Sequence, residues 1–345
     1  MKCIYILMTI TMAAWFLSAT PAVALDLSRE PIQPISPPHS IDPQKAALGK
    51  SLFFDRRLSV DHSISCAHCH ELESKGGADG LKRSFGVDGR EGLVNSPTVF
   101  NAALNFSQFW DGRAATLEQQ AKGPITSHLE MANNWPQILQ QLSSDQSMMQ
   151  AFNNAYTDGI TAANITNAIA TFERTLITPD SRFDHYLKGD ESAITTEEKK
   201  GYALFKTYGC VACHQGRNVG GNLYQTPGVM NDYFKDFPST GKADLGRFNV
   251  TGDKADRHRF KVPSLRMAVL TAPYFHDGSQ ATLSETIRTM AKYQLGRKIP
   301  TADINAIIRF LYTLPGRWQG KALEPQYQHE LDAATLSEAA KVDPL

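Results

Sequence analysis

Two copies of the pattern C-x-x-C-H constrain this chain more than any other feature of its sequence. They lie at Cys66–His70 and Cys210–His214. The chain has 345 residues and five cysteines, and the fifth, Cys3, lies in an N-terminal segment with the character of an export signal. The two motifs therefore use every cysteine of the predicted mature chain and leave no thiol for a disulfide.

C-x-x-C-H is the attachment signature of c-type haem. The spacing of the two thiols matches the separation of the porphyrin vinyl groups, and the histidine that follows becomes the axial ligand beneath the iron. We therefore expect two covalently bound haem c groups. The attachment residues are Cys66, Cys69 and His70 for the first haem and Cys210, Cys213 and His214 for the second.

Two other uses of paired cysteines are open from the spacing alone. A four-thiolate zinc site would have to close a loop of roughly 140 residues, and it would leave the repeated histidine without a role. A thioredoxin-type redox pair at Cys210 should follow a β-strand, and no strand is predicted there. Haem explains both motifs with one chemistry.

Residues 1–24 have the pattern of a cleavable signal peptide. Lys2 precedes an apolar run at Ile4–Leu17, and Ala22–Ala24 supplies the small residues that signal peptidase prefers. An uncleaved anchor is the alternative, but the run is short for a bilayer core of about 30 Å. We expect a periplasmic protein without stable membrane insertion, which agrees with haem attachment in an oxidising compartment.

Both haem motifs follow a predicted helix. Asp42 and Pro43 form an N-cap and a first helical residue, and Thr195 with Glu198 forms a capping box at the second helix. Both helices contain the string G-x-x-L-F, which begins at Gly49 and at Gly201.

Each half also closes with a predicted amphipathic helix, one ending before Pro179 and the other at Pro315. The repeated order predicts duplication of one unit, with an extended proline-rich arm at 31–38 before it. We expect a mainly α fold of two cytochrome c-like domains, 25–185 and 186–345, with long irregular loops. The residues predicted on the apolar helix faces are Ile165, Ile169, Phe172 and Leu176 in the first half and Ile304, Ile307, Ile308 and Leu311 in the second.

Segments between the two motifs resemble the bacterial di-haem cytochrome c peroxidases, a family that includes the MauG-type enzymes. The resemblance covers about residues 42–315. The strings that carry it are Asn95–Asn101, Phe109–Ala114, Glu130–Met131, Phe260–Arg266 and Pro273–Gly278.

The resemblance implies a peroxidatic haem on the first motif and an electron-transfer haem on the second. It gives Glu130 the role of acid/base carboxylate, with Gln120 beside it in the distal pocket. Trp110 would lie between the haems and carry an electron from one to the other. Met290 would be the sixth ligand of the second haem, where MauG-type proteins have tyrosine.

Two further sets of residues bear on this resemblance. Met267 and Met230 compete with Met290 for the ligand role, and Met267 is the better candidate for packing alone. Asn95, Thr271 and Pro273 match the family's calcium site, which uses oxygen ligands. We therefore expect one Ca²⁺ ion between the two domains.

The loop between His70 and Asn95 departs from the family pattern. Many members block the first haem with a histidine from this loop until the second haem is reduced. Here the loop contains neither histidine nor methionine, and the usual ligand position falls at Val87. We expect the first haem to be five-coordinate, or to hold only water, without prior reduction. Its glycines still allow a gating motion.

The resemblance implies a periplasmic cytochrome c peroxidase that reduces hydrogen peroxide to water with electrons from a small soluble cytochrome c or cupredoxin. It also implies a homodimer. A MauG-like enzyme that oxidises residues of a partner protein is the alternative, and a pure electron-transfer cytochrome is a third class. Basic and acidic residues number 35 each, so the charge does not point to nucleic acid.

Overall fold

A computed structural model describes residues 29–37, 40–238 and 241–324. The predicted signal peptide lies outside these residues. Within them, no helix is long and apolar enough to cross a membrane. Helices dominate and the only strands in this part of the chain form two short two-stranded sheets, so the predicted mainly α class is confirmed.

The described helices are numbered in chain order, and several are single turns. They are α1 Pro43–Phe53, α2 Cys66–Cys69, α3 Leu117–Thr126, α4 Trp135–Ser143, α5 Gln146–Ala155, α6 Ala162–Glu173, α7 Arg182–Leu187, α8 Thr196–Thr207, α9 Tyr233–Asp236, α10 Phe248–Thr251, α11 Leu283–Tyr293 and α12 Thr301–Leu311. One antiparallel sheet pairs β1 Tyr224–Gln225 with β2 Phe260–Lys261, and the other pairs β3 Arg317–Trp318 with β4 Lys321–Ala322.

The predicted caps form as the sequence indicates. The Asp42 carboxylate accepts hydrogen bonds from the backbone N–H groups of Gln44 and Lys45 at the start of α1. Thr195 and Glu198 form a reciprocal capping box at α8. Each haem motif therefore follows a helix with a fixed beginning.

Helix α1 crosses α6 at a glycine, and α8 crosses α12 in the same way. A Cβ atom at Gly49 would overlap the backbone carbonyl of Ala168, and one at Gly201 would overlap that of Ala306. The side chains of Phe172 and Phe310 lie beside these contacts. The repeated G-x-x-L-F string thus marks two equivalent helix crossings.

Helix α6 ends before the last residue of its predicted apolar face, whereas α12 ends with its predicted face at Leu311 but before the predicted helix end at Pro315. Helix α6 ends at Glu173, and the next residues continue as a tighter turn in which the Leu176 N–H donates to Glu173 O at 3.0 Å. Helix α12 is followed by the same kind of turn, with Leu314 N–H donating to Leu311 O at 3.2 Å. Leu176 and Leu314 are fully buried, so in both halves the apolar side continues past the end of the α-helix.

The two largest apolar clusters of the described residues each take side chains from a distant part of the chain. Ile32 of the N-terminal arm packs with Phe183 in the cluster around α8 and α12. In return, Met267 and Leu323 pack in the cluster around α1 and α6. The two halves therefore interlock, and the boundary between residues 185 and 186 stays a prediction.

A buried ion pair joins Asp184 of α7 to Arg266, and Arg266 also holds the N-terminal arm. Arg266 and Asp184 have fully buried side chains, and Nη1 of Arg266 lies 2.8 Å from Oδ1 of Asp184. The remaining guanidinium nitrogens donate to the carbonyls of Arg217 and Gln33, each within 3 Å. Breaking such a pair from one side is strongly destabilising because it leaves an uncompensated buried charge.

We expect Gly201→Ala to lower the free energy of unfolding of the haem-loaded protein by about 1–3 kcal/mol. Alanine is ordinarily the better helix former, but here its Cβ must displace the Ala306 carbonyl. Thermal unfolding followed by circular dichroism measures the effect. Lys200→Ala, at an exposed position of the same helix, is the control and should change stability little. Equal melting temperatures for Gly201→Ala and wild type would contradict the close helix crossing.

Candidate active site

The first motif forms a single helical turn, α2, followed directly by His70. The backbone N–H of His70 donates to Cys66 O at 3.0 Å, which closes the turn. The ring Nδ1–H of His70 donates to the carbonyl of Gly77 at 3.1 Å. Burial lowers the pKa of His70, so the imidazole is neutral and Nε2 keeps its lone pair. This is the orientation of a histidine ligand held by its second nitrogen.

The second motif repeats this arrangement on a 3₁₀ turn, Cys210–Ala212. The His214 ring donates from Nδ1 to the carbonyl of Val219 at 3.4 Å, and burial lowers its pKa to about 4. In both histidines, Nε2 is therefore the ring nitrogen available to bind iron. Helix α8 precedes Cys210, so the strand that a thioredoxin-type pair requires is not at this position.

All four thiols of the motifs are free of disulfides. Within the described residues, no group of three or more His, Cys, Asp or Glu side chains could hold a metal ion, so the two cysteine pairs do not meet in a four-thiolate zinc site. Free paired thiols with an oriented neutral imidazole fit covalent haem at each motif.

A large, mostly apolar cavity of about 260 Å³ lies against the second motif. Cys210, Cys213 and His214 line it together with Met290 of α11. These groups are the two thiols and the two axial donors that a six-coordinate haem c requires. The cavity thus fits the haem that the sequence predicts.

The competing methionines lie elsewhere. Met267 is fully buried in the apolar cluster around α1 and α6. Met230 is 62% exposed on the surface. Met290 is the one of these three that lines the cavity with His214.

Glu130 lies in a tight turn after α3. Its backbone N–H donates to Ser127 O at 3.0 Å, and its carbonyl accepts the N–H of Val87 at 2.9 Å. Gly86 makes this approach possible, because a Cβ there would overlap the backbone of Leu129 and Glu130. The loop that carries Val87 is therefore held directly against Glu130.

The electrostatic surroundings of Glu130 suit a proton-transfer group. Burial raises the pKa of its carboxyl, and the nearby Arg113 guanidinium opposes this in part. Burial and, to a smaller extent, the charges of Asp79 and Glu130 raise the pKa of the Cys69 thiol to about 11. Glu130 therefore lies within electrostatic range of the first haem motif.

Gln120 and Trp110 belong to different parts of the structure. Gln120 is half-buried on α3. The indole Nε1–H of Trp110 donates to Asn95 O at 2.9 Å, and the carbonyl of Trp110 accepts the backbone N–H of Lys261 at 2.7 Å. Trp110 is thus held by hydrogen bonds to both halves of the chain, and it lines the cavity beside His214.

Residues 43–192 match the family model of the di-haem cytochrome c peroxidases. The cytochrome c peroxidase Ccp of Escherichia coli is 49% identical over 83% of this chain, and the cytochrome c551 peroxidase of Nitrosomonas europaea is 44% identical over 90% of both chains. This chain is a di-haem cytochrome c peroxidase family member. It spans 61% of the length of the Escherichia coli relative.

A solved structure supports the same assignment. The crystal structure of a MauG-like protein associated with microbial copper homeostasis superimposes with a TM-score of 0.73, at 26% identity, over 85% of this chain and 97% of that one. Membership in the di-haem cytochrome c peroxidase family implies two haem c groups. The predicted fold and family are therefore confirmed, whereas the roles of individual site residues stay predictions.

The predicted calcium residues of this family member share one cavity wall. Asn95, Thr271 and Pro273 all line the cavity beside the second motif. The Asn95 side-chain amide donates from Nδ2 to Leu81 O at 2.9 Å, and the Thr271 hydroxyl donates to Met267 O at 3.2 Å. The structure brings the three residues together, and the presence of calcium stays a prediction.

Three ionisable residues at the site were not predicted from sequence. Arg113 belongs to the string that contains Trp110, and it packs over the Phe109 ring at 3.4 Å. Glu173 is buried at the end of α6, where burial raises its pKa to about 8 and Oε2 has no hydrogen-bond partner. Lys261 is buried in the cavity wall. A charged residue next to apolar ones in a family motif is the signal that could have drawn attention to Arg113 and Lys261.

Replacing both cysteines of one motif should remove one haem and leave the other. We expect intact-protein mass spectrometry to show two covalent haems in wild type and one in Cys210→Ala/Cys213→Ala. The reciprocal variant Cys66→Ala/Cys69→Ala is the matched control and should also keep one haem. Two haems remaining in either variant would contradict the assignment of the motifs.

Proposed function

We propose that this protein reduces hydrogen peroxide to water in the periplasm, with electrons from a small soluble cytochrome c or cupredoxin. The observation that supports it most is Glu130, a carboxyl with a raised pKa held between the first haem motif and the loop of Val87. Haem at the first motif would supply the redox-active iron. The full reaction consumes two electrons and two protons for each peroxide and yields two waters.

In this proposal Glu130 transfers the proton. It accepts a proton from one peroxide oxygen and delivers it to the other as the O–O bond breaks, so that the departing oxygen leaves as water. A raised pKa suits both steps because it brings the carboxyl closer to the pH of the reaction. Gln120 would orient the peroxide as a neutral hydrogen-bonding side chain.

Electrons would enter at the second motif. His214 and Met290 line one cavity, and a His/Met pair raises the reduction potential as an entry site requires. Trp110 lines the same cavity and is hydrogen-bonded to both halves, so it is placed to carry electrons towards the first motif. Methionine at this position also favours a peroxidase over a MauG-type enzyme.

Val87 supports an active site that needs no activation. Its side chain is buried and cannot bind iron, and its backbone is hydrogen-bonded to Glu130. The absence of a blocking ligand also suits a second candidate function, because MauG-like enzymes lack that ligand too. Such an enzyme would oxidise residues of a partner protein. Steady peroxide turnover with a reduced small cytochrome distinguishes the two.

We also propose that the protein binds one Ca²⁺ ion between its two halves and forms a homodimer. The oxygens of Asn95, Thr271 and Pro273 are the hard donors that Ca²⁺ prefers, and all three residues lie along one wall. The homodimer follows from the family resemblance.

Glu130→Gln should lower the rate of peroxide reduction by about 10²–10⁴-fold, because glutamine keeps the shape but cannot transfer a proton. The raised pKa of Glu130 means that its basic form is lost at a higher pH than for an exposed glutamate. The acid limb of kcat/KM in wild type should therefore lie above the usual range of glutamate, and the variant should lack it. Steady-state assays with reduced cytochrome c across pH measure both effects.

Glu197→Gln provides the control, because Glu197 is exposed on α8 and the charge change is the same. Its rate should equal that of wild type. Equal turnover in Glu130→Gln and wild type would remove Glu130 from the mechanism. No turnover in wild type with excess reductant would overturn the peroxidase proposal itself.

The oxidised protein should show no dominant low-spin, bis-nitrogenous signal from the first haem in electron paramagnetic resonance, because Val87 supplies no ligand. Val87→His adds an imidazole at this position and should create that signal. It should also make turnover of the oxidised enzyme depend on prior reduction. A bis-nitrogenous signal from the first haem in wild type would contradict an open site.

A further inference from the structure

Lys261 is a lysine buried in the wall of the cavity beside the second haem motif. Only 6% of the residue is exposed. It forms β2 with Phe260, and its register partner on β1 is Tyr224. Its backbone N–H donates to the carbonyl of Trp110 at 2.7 Å. This strand pairing and the hydrogen bond to Trp110 fix the backbone from which the side chain extends.

The ammonium of Lys261 has no partner among the residues that the structure describes. Burial alone lowers the pKa of this lysine, to about 8, and no carboxylate of the described chain offsets the shift. A buried charge without a counter-ion is costly, so proteins pair such groups. The Lys261 ammonium is therefore a buried cation without a counter-ion among the described residues.

The cavity indicates which anion is missing. Its walls are mostly apolar and include Cys210, Cys213 and His214, the attachment residues of the second haem. Among the residues that line the cavity, Lys261 is the only lysine, and there is no arginine, aspartate or glutamate. Haem itself carries two propionate carboxylates, and these are the anions that enter this cavity with the cofactor.

We propose that the ammonium of Lys261 forms an ion pair with a propionate of the haem attached at Cys210 and Cys213, and thereby raises the reduction potential of that haem. Reduction adds one electron to ferric iron and removes one positive charge from the haem. A fixed cation nearby therefore favours the ferrous form. The inference rests on the second motif holding a haem and is independent of the peroxidase activity.

Lys261 is accordingly a positioning residue that acts through the cofactor. Arginine should replace it, because the guanidinium keeps the charge and can pair with a carboxylate. Methionine should not, because it keeps the length and the apolar stem without the charge. These two substitutions separate charge from packing.

Optical redox titration of the haem-loaded full chain tests the proposal, with the two haems assigned by means of the single-haem variants. At the wild-type midpoint of the second haem, we expect Lys261→Met to lower the ratio of reduced to oxidised haem about tenfold, which is about 59 mV for a one-electron couple. Lys261→Arg should stay near wild type. Lys298→Met removes an exposed lysine from the same half and should also stay near wild type, because solvent screens its charge.

Three results would overturn the proposal. Lys261→Met could leave the potential of the second haem unchanged. Lys261→Met and Lys261→Arg could lower it equally, which would make the effect one of packing. The first haem could shift in place of the second. If Lys261→Met does not load both haems, Lys261→Gln replaces it, with the same expected shift in potential. The titration does not depend on peroxide turnover, so it still tests this proposal if the wild-type protein has no peroxidase activity.

Discussion

The close crossing of helices at Gly49 and Gly201 is the constraint on which both haem sites depend. At each crossing a glycine lets one helix approach the backbone carbonyl of another, Ala168 or Ala306. The helix that carries the glycine leads within a short distance to a C-x-x-C-H motif. Since the closing helix fixes the first helix, it also fixes where the two thiols and the histidine lie. A side chain at either glycine would move a haem site as well as a helix.

Hydrogen bonds to backbone carbonyls connect the segments between these two helix crossings. Trp110 is held through its indole by Asn95 and through its carbonyl by Lys261, and Asn95 in turn donates its N–H to His276 O at 2.8 Å. Peptide groups are rigid, so these bonds define the position of the indole closely. The residue proposed to carry electrons is thus placed by segments from both halves.

The sequence predicted features that depend on local chemistry or exact spacing. The caps at Asp42 and Thr195 form as expected, and the family is confirmed. It did not predict that Val87 would donate its backbone N–H to Glu130, or that Lys261 would be buried without a partner. Both features arise when distant segments meet, and a single sequence has no periodicity or motif that records such a meeting. The closing helices also end early, because periodicity marks a buried face and does not distinguish an α-helix from a tighter turn.

The residues around the two identical motifs differ in their ionisable groups. Near the first motif lie the carboxyl groups of Glu130, Asp79 and Glu173, all of which raise the pKa of a motif thiol. Lys261 lies in the wall of the cavity beside the second motif. Anionic groups favour the oxidised form of a nearby haem and cations favour the reduced form, since reduction removes a positive charge. The two motifs, which both begin from C-x-x-C-H, therefore differ in the ionisable groups around them.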